Sequence, residues 1–184
     1  MRIIKFTDLQ QTPWKNGGGI TREIAAGRTG EEMAWRLSIA DVGVDGPSSK
    51  FDGLHRILTV IEGQGMELIS PFEILQADYA VPVNFDGALE IQSRLKDGPL
   101  RDLNVIYNPA LCTGHAQVIK GYSRHFIEAK PGQVHALHCM RGSVALGEME
   151  QLQQGDTALI DCDTIQFAVA EGASALLITI VLST

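Results

Sequence analysis

In the stretch Leu152-Gln153-Gln154-Gly155-Asp156-Thr157-Ala158-Leu159-Ile160, a polar Gly-Asp turn joins two strand-like segments. A similar stretch, Leu75-Gln76-Ala77-Asp78-Tyr79-Ala80-Val81, occurs in the first half of the chain. Each is preceded by two strand-like segments separated by a glycine turn, around residues 62–68 and 141–146. Because duplicated antiparallel β-barrels produce such a repeat, the pattern predicts two similar halves built from short strands.

Short strand-like segments separated by Gly, Pro and Asp clusters recur along the whole chain. This spacing is typical of a β-sandwich or barrel and predicts an all-β fold. The last segment is so apolar that we expect both of its faces to be buried. Only residues 8–11 and 108–114 are predicted to be helical or irregular. The predicted strands are residues 35–42, 56–61, 65–68, 72–75, 87–95, 103–107, 118–122, 126–129, 133–139, 142–146, 157–160, 165–169 and 175–182.

The overall composition is that of a folded globular protein. Hydrophobic residues make up 45% of the 184 residues and charged residues 20%, which argues against disorder. The net charge of -7 lacks the basic footprint of a nucleic-acid-binding protein. The first residues lack the apolar region of a signal peptide, and no apolar run is long enough for a transmembrane helix. We therefore expect a cytoplasmic protein that binds neither nucleic acid nor membranes.

The chain has three cysteines, Cys112, Cys139 and Cys162. Their number is odd, their spacing is wide and none belongs to a C-x-x-C pair. These features predict free, packed thiols rather than a disulfide framework or a zinc knuckle.

A longer series of motifs resembles a known family. The series comprises Trp14-Lys15-Asn16-Gly17-Gly18-Gly19-Ile20-Thr21-Arg22-Glu23-Ile24, then Trp35-Arg36-Leu37-Ser38-Ile39-Ala40, then Asp45-Gly46-Pro47-Ser48-Ser49. In order and spacing it resembles the N-terminal signature of the HutD/Ves family, and further similar pieces lie at residues 51–56, 85–87 and 95–104. The Gly-Asp turn at residues 155–156 is similar to the second conserved cupin motif. The resemblance is strong from residue 13 to about residue 108 and looser after that.

The resemblance implies a bicupin, that is, two double-stranded β-helix (cupin) barrels in one chain. We place the N-terminal cupin-like half at residues 1–108 and the C-terminal half at residues 109–184. Some members of the family are associated with histidine utilisation, where formylglutamate-type intermediates are the expected ligands, and others with stress responses. The resemblance therefore implies a small-molecule-binding protein with a sensing or flux-regulating role.

The histidines depart from the pattern of metal-dependent cupins, which have two His one residue apart, a Glu shortly after and a third His on a later strand. His135 and His138 are three residues apart, so a strand would point them to opposite faces. We therefore expect no metal or other cofactor, and a binding role rather than an enzymatic one. The alternative is a cupin enzyme, either a metal-independent isomerase or hydrolase, or an atypical metalloenzyme using His55, Glu62, His115, His125 or His135.

Three arginines, Arg22, Arg36 and Arg56, lie within strand-like segments. An inward-facing guanidinium costs desolvation unless it is paired, and its rigid fork suits a carboxylate. Arg56 begins a largely apolar strand and is the preferred anion anchor. Asp102 and Asn104 share one strand face and could orient that arginine or bind an amide or formyl group. For any single arginine, the alternative is an exposed position or an internal ion pair.

The glycine-rich run at residues 16–19 permits backbone conformations that other residues avoid, and it lacks the order of a phosphate-binding P-loop. It is interpreted as either a flexible turn or a ligand-facing loop. Thr21 and Glu23 share a strand face, whereas Arg22 lies on the other. We predict no catalytic residue and a small anionic metabolite as the ligand, and pairing through edge strands suggests a homodimer. The predicted ligand-binding residues are Arg56, Arg36, Asp102, Asn104, Lys15, Asn16, Gly17, Thr21 and Ser38.

Overall fold

The computed structural model describes residues 1–161 and 164–183, so Cys162 lies outside the described part. The first strands are β1 (Arg2–Ile4), β2 (Gln11–Pro13), β3 (Gly19–Thr29), β4 (Glu32–Val42), β5 (Gly46–Pro47), β6 (His55–Glu62), β7 (Met66–Ile69), β8 (Ile74–Ala77), β9 (Val83–Asp86) and β10 (Gln92–Leu95). They are followed by β11 (Leu100–Tyr107), β12 (Cys112–Lys120), β13 (Ser123–Glu128), β14 (Gln133–Arg141), β15 (Ser143–Leu146), β16 (Glu150–Gln153), β17 (Thr157–Ile160), β18 (Thr164–Val169) and β19 (Ser174–Leu182).

This architecture confirms the all-β prediction. The prediction of non-strand structure at residues 8–11 and 108–114 is wrong in its bounds. A short 3-10 helix occupies Phe6–Asp8, and β12 already begins at Cys112. The turn before β12 is closed by Asn108, whose carbonyl oxygen accepts from the backbone N–H of Cys112 at 3.0 Å. Within the described residues, no helix is long and apolar enough to cross a membrane.

The residues Gln10–Cys112 form one compact unit. It contains a six-stranded sheet in the order β2-β3-β4-β11-β6-β9 and a four-stranded sheet in the order β5-β10-β7-β8. Apolar side chains of both sheets pack together, because alternate residues of each strand face inward. This core comprises Ala40, Val42, Leu58, Val60, Met66, Leu68, Ala77, Phe85, Ile91 and Leu100.

The second compact unit combines Met1–Leu9 with the chain from Thr113 onward. Its sheets have the orders β1-β17-β14-β19-β12 and β13-β18-β15-β16. Strand β19 is buried on both faces only near its start, where Ala175 and Leu176 are both fully inaccessible to solvent. The prediction is wrong for the end of the strand, where Val181 is 38% exposed. The core of this unit includes Leu137, Cys139, Val144, Leu152, Ile160, Phe167 and Val169.

The two segments of the internal repeat form equivalent hairpins. In the first unit β7 pairs with β8 in antiparallel fashion, and in the second unit β15 pairs with β16 in the same way. A glycine with positive φ precedes each hairpin, Gly65 at 106° and Gly142 at 72°. A Cβ atom at Gly65 would lie 2.6 Å from the carbonyl oxygen of Ala77. The glycine turn is therefore required by both backbone conformation and space.

Asp156, in the Gly-Asp turn, ties the first residues of the chain to the second unit. Its carboxylate accepts from Lys5 Nζ at 2.8 Å, from the backbone N–H of Gln153 at 3.1 Å and from that of Phe6 at 3.2 Å. Burial raises the pKa of Asp156, but these hydrogen bonds outweigh it and hold the pKa below its usual value. Beside this site, β1 pairs with β17. The turn thus explains why residues 1–9 pack with the later part of the chain.

We predict that Asp156→Asn lowers the free energy of unfolding by about 1–3 kcal/mol, because buried backbone donors lose a charged acceptor. Urea unfolding followed by circular dichroism measures the change. Lys5→Met is the matched control. It removes only the partner that is 46% exposed and should cost about 1 kcal/mol or less. Equal losses in the two variants would contradict the assignment of the backbone donors as the main partners.

Candidate functional site

A cavity of about 600 Å³ lies within the unit Gln10–Cys112. Its floor is the inner face of the six-stranded sheet, where three rows of side chains cross β4, β11 and β6. In register, the rows are Arg36-Ile106-Arg56, Ser38-Asn104-Leu58 and Ala40-Asp102-Val60. Antiparallel pairing points paired residues to the same side of a sheet. The predicted pairs Arg36 with Ser38 and Asp102 with Asn104 therefore meet on one surface.

Arg56 is buried in the floor, with an exposed fraction of 6%. Its Nη1 donates to Ser48 Oγ at 2.9 Å and to the carbonyl oxygen of Ser49 at 3.3 Å. Its Nη2 donates to Asn104 Oδ1 at 2.6 Å. The guanidinium also lies 5.4 Å from the ring centre of Phe51 and 4.9 Å from that of Phe85. All of these direct contacts are with uncharged groups, and the Nε atom has no hydrogen-bond partner.

Asp102 is the buried carboxyl next to this arginine. Asn104 links them, since its Nδ2 donates to Asp102 Oδ1 while its Oδ1 accepts from Arg56. Burial raises the pKa of Asp102 to about 7 despite the opposing effect of Arg56. Burial likewise lowers the pKa of Arg56 to about 10, which leaves it protonated at neutral pH. Near pH 7 a substantial fraction of Asp102 is neutral, so the carboxyl compensates the arginine only in part.

Arg36 lies on β4, on the other side of Ile106 from Arg56, and is half-buried. Its Nε lies 3.1 Å from Glu23 Oε2, and the two side chains are 27% and 55% exposed. The contact lacks hydrogen-bond geometry, so the Nε of Arg36 has no hydrogen-bond partner. Arg36 is therefore held less firmly than Arg56.

The glycine-rich run forms part of the cavity rim. Lys15, Asn16, Thr21 and Gly18 line the cavity, and Asn16 Oδ1 accepts from the backbone N–H of Gly18 at 3.0 Å. Gly17, which the sequence predicted as a binding residue, does not line it. Gly17 sits at the tip of a turn, with φ of 71° and open space where a side chain would be. It borders a separate cavity of about 380 Å³ that also includes Asp41 and Arg101.

Two cavity residues were not recognised as contacts from the sequence. Ser48 and Ser49 belong to a motif that was interpreted only as part of the family signature, yet they hold Arg56 in place. Their role depends on the fold of the loop around β5, which no local pattern specifies. Trp14 also lies in the cavity wall, and its Nε1 donates to Thr21 Oγ1 at 2.7 Å.

Arg22 lies on the outer face of the six-stranded sheet, as its alternation with Thr21 predicted. It donates to Asp41, which also accepts from Arg101 Nε at 2.6 Å. Arg101 Nη1 in turn donates to Glu62 Oε2 at 2.8 Å. Burial raises the pKa of Asp41, but the hydrogen bonds from Arg22 and Arg101 lower it by more. The pKa of Asp41 is therefore below its usual value. This network is an internal ion-pair cluster outside the cavity.

The histidines and cysteines of the described residues occupy separate positions. His55 packs against Tyr107, His125 stacks on Phe167, and His135 Nδ1 lies 3.0 Å from Thr179 Oγ1. No three His, Cys, Asp or Glu side chains of residues 1–161 and 164–183 form a group that could hold a metal ion. The side chains that the structure describes thus do not fit the metal centre found in some cupins. Cys112 and Cys139 are free and buried, and burial raises the pKa of both thiols.

Comparisons with known proteins agree with this architecture. The HutD family model matches residues 6–178. The structure of HutD from Pseudomonas fluorescens SBW25 in a formate condition is similar, with a TM-score of 0.85 and 32% identity over 100% of this chain and 99% of that one. The uncharacterised 21.2 kDa protein in the hutC 3′ region of Pseudomonas putida is 37% identical over 134 residues, which are 70% of each chain.

A cupin 2 conserved barrel domain protein from Leptotrichia buccalis is similar in fold alone. The TM-score is 0.60 at 9% identity, over 99% of this chain and 96% of that one. The expectation of a cupin fold is therefore confirmed.

The raised pKa of Asp102 predicts a specific pH dependence of stability. The folded value of about 7 lies above the value of about 3.9 for an unfolded aspartate. The contribution of Asp102 to the free energy of unfolding is therefore fully present below about pH 4 and is lost as the pH rises to about 7. The loss amounts to at most about 1.4 kcal/mol per pH unit. Asp102→Asn removes this titration and keeps an acceptor for Asn104.

Urea unfolding at pH values between about 4 and 8 measures the effect. We expect the free energy of unfolding of Asp102→Asn, relative to the unsubstituted protein, to rise across this range. Asp97→Asn is the control because Asp97 is exposed at a turn, and it should retain the pH profile of the unsubstituted protein. A pH-independent difference between Asp102→Asn and the unsubstituted protein would be inconsistent with a titrating Asp102.

Proposed function

The chain belongs to the HutD family of cupin-fold proteins, and from this premise we propose that its unit Gln10–Cys112 binds a small carboxylate, with Arg56 as the anion anchor. The observation that carries the proposal is the state of Arg56. It is a buried cation whose direct partners are a hydroxyl, a carbonyl and an amide oxygen. A ligand carboxylate would supply the missing negative charge, and charge-assisted hydrogen bonds to a guanidinium are among the stronger polar contacts in proteins.

Asn104 and Asp102 extend the ligand contacts beyond the anion. Both line the cavity beside Arg56. The amide of Asn104 and the neutral form of Asp102 are donors as well as acceptors, so they complement an amide or formyl group of the ligand. Formylglutamate carries two carboxylates and a formyl group on its amide nitrogen. We therefore propose formylglutamate, or a related intermediate of histidine degradation, as the ligand.

The proposed role is sensing or regulation of metabolic flux, and it includes no catalytic step. The relative from Pseudomonas putida lies in the hutC 3′ region, which supports a connection with histidine utilisation. We also propose that the protein acts in the cytoplasm.

Isothermal titration calorimetry with formylglutamate, urocanate and formate tests the proposal. We expect formylglutamate to bind, and Arg56→Lys to weaken its binding by at least about tenfold, because a lysine keeps the charge and loses the planar fork. Formate, which has only the carboxylate, should bind more weakly than formylglutamate.

Arg94→Lys is the matched control for this experiment. Arg94 is 59% exposed and forms an ion pair with Glu67, away from the cavity, so its substitution should leave affinity unchanged. The thermal unfolding midpoint of each variant shows whether it is folded. If none of the three carboxylates binds the folded unsubstituted protein, or if Arg56→Lys binds formylglutamate with unchanged affinity, the proposal is wrong.

A further inference from the structure

We propose that the cavity binds a small dicarboxylate between two guanidinium groups, and that Arg36 selects dicarboxylates over monocarboxylates. The inference rests on the proposed function and deepens it, because it assigns a second anion position to the same site. Arg56 holds the first carboxylate, whereas Arg36 holds the second.

The register of the six-stranded sheet places the two arginines in one row. Ile106 on β11 pairs with Arg36 on β4 and with Arg56 on β6. Adjacent strands are about 4.8 Å apart, so the two arginine Cα atoms are separated by on the order of 10 Å. Both side chains line the cavity. Two forked cations thus line the same cavity on either side of Ile106.

The floor between the two arginines is suited to the middle of such a ligand. Ile106 lies between them in the same row, and Ser38 and Asn104 form the neighbouring row. An aliphatic segment can pack against Ile106, while a polar substituent on it meets the hydroxyl of Ser38 or the amide of Asn104. The cavity therefore offers a guanidinium at each end and mixed polarity in the centre.

The state of Arg36 distinguishes it from other arginines of this unit. Arg22, Arg94 and Arg101 each donate a hydrogen bond to a carboxylate. Arg36 has only the ion pair with Glu23, which lacks hydrogen-bond geometry. Because Glu23 is 55% exposed, this pair contributes little to stability. A ligand carboxylate can therefore replace Glu23 at small cost.

Calorimetry with glutarate and its monoamide, glutaramate, tests the inference. The two compounds have the same length, and one carboxylate is replaced by an amide. We expect the unsubstituted protein to bind glutarate about tenfold more tightly, the size of one additional charge-assisted contact. In Arg36→Gln, the affinity for glutarate should fall to that for glutaramate, whereas the affinity for glutaramate should change by less than about twofold.

Two further variants separate a binding role of Arg36 from a structural one. Glu23→Gln removes the competing carboxylate and should strengthen glutarate binding more than glutaramate binding. Arg94→Gln, at an exposed ion pair outside the cavity, should keep the preference for glutarate. The thermal unfolding midpoint identifies any variant that fails to fold. If a variant fails to fold, the preference of the unsubstituted protein for glutarate over glutaramate still tests the inference.

The titrations distinguish an error in the second anion position from a failure of carboxylate binding as a whole. If glutarate and glutaramate bind the unsubstituted protein equally, or if Arg36→Gln weakens both to the same extent, the second anion position is wrong and carboxylate binding still stands. If the preference survives Arg36→Gln and disappears in Lys15→Gln, Arg36 is not the selecting residue. If neither compound binds, and formylglutamate does not bind either, both proposals are overturned.

Discussion

The burial of one guanidinium group is the constraint on which the candidate site depends. Arg56 is taken out of water at the start of β6, and its position is maintained by Ser48, Ser49 and Asn104. A buried charge is costly unless its donors are satisfied. The loop around β5, the amide of Asn104 and the carboxyl of Asp102 are arranged around that requirement. The same arrangement leaves the charge without a directly bonded anion, which is why the cavity is suited to a carboxylate.

Arginines on the two faces of the six-stranded sheet have different partners. On its outer face, Arg22 and Arg101 are neutralised by Asp41 and Glu62. On its inner face, Arg36 and Arg56 face the cavity and lack a hydrogen-bonded carboxylate. The separation follows from strand alternation, because residues one position apart point to opposite faces. The structural arginines and the candidate binding arginines therefore lie on opposite faces of one sheet and have different partners.

The second unit repeats the hairpin pattern of the first with a different interior. Its Gly-Asp turn anchors the first residues of the chain through Asp156. His135 and His138, which lie three residues apart on β14, make separate hydrogen bonds to Thr179 and Thr157. The first unit combines a cavity of about 600 Å³ with inward-facing cations. The duplication thus supplies two similar folds, and polar residues are placed in the cavity of the first.

The sequence by itself determined the all-β class, the cupin resemblance and which candidate residues of one strand share a face. These properties depend on local spacing, since turn residues and the two-residue alternation of strands act over a few positions. Hence the pairs Arg36 with Ser38 and Asp102 with Asn104 were predictable. Only the tertiary structure decided that Ser48 contacts Arg56, that Gly17 does not line the cavity, and that β1 pairs with β17. It also decided that Arg36 and Arg56 share one row across Ile106. These contacts join residues that are distant along the chain, and the pairing of strands, which no local pattern specifies, brings them together.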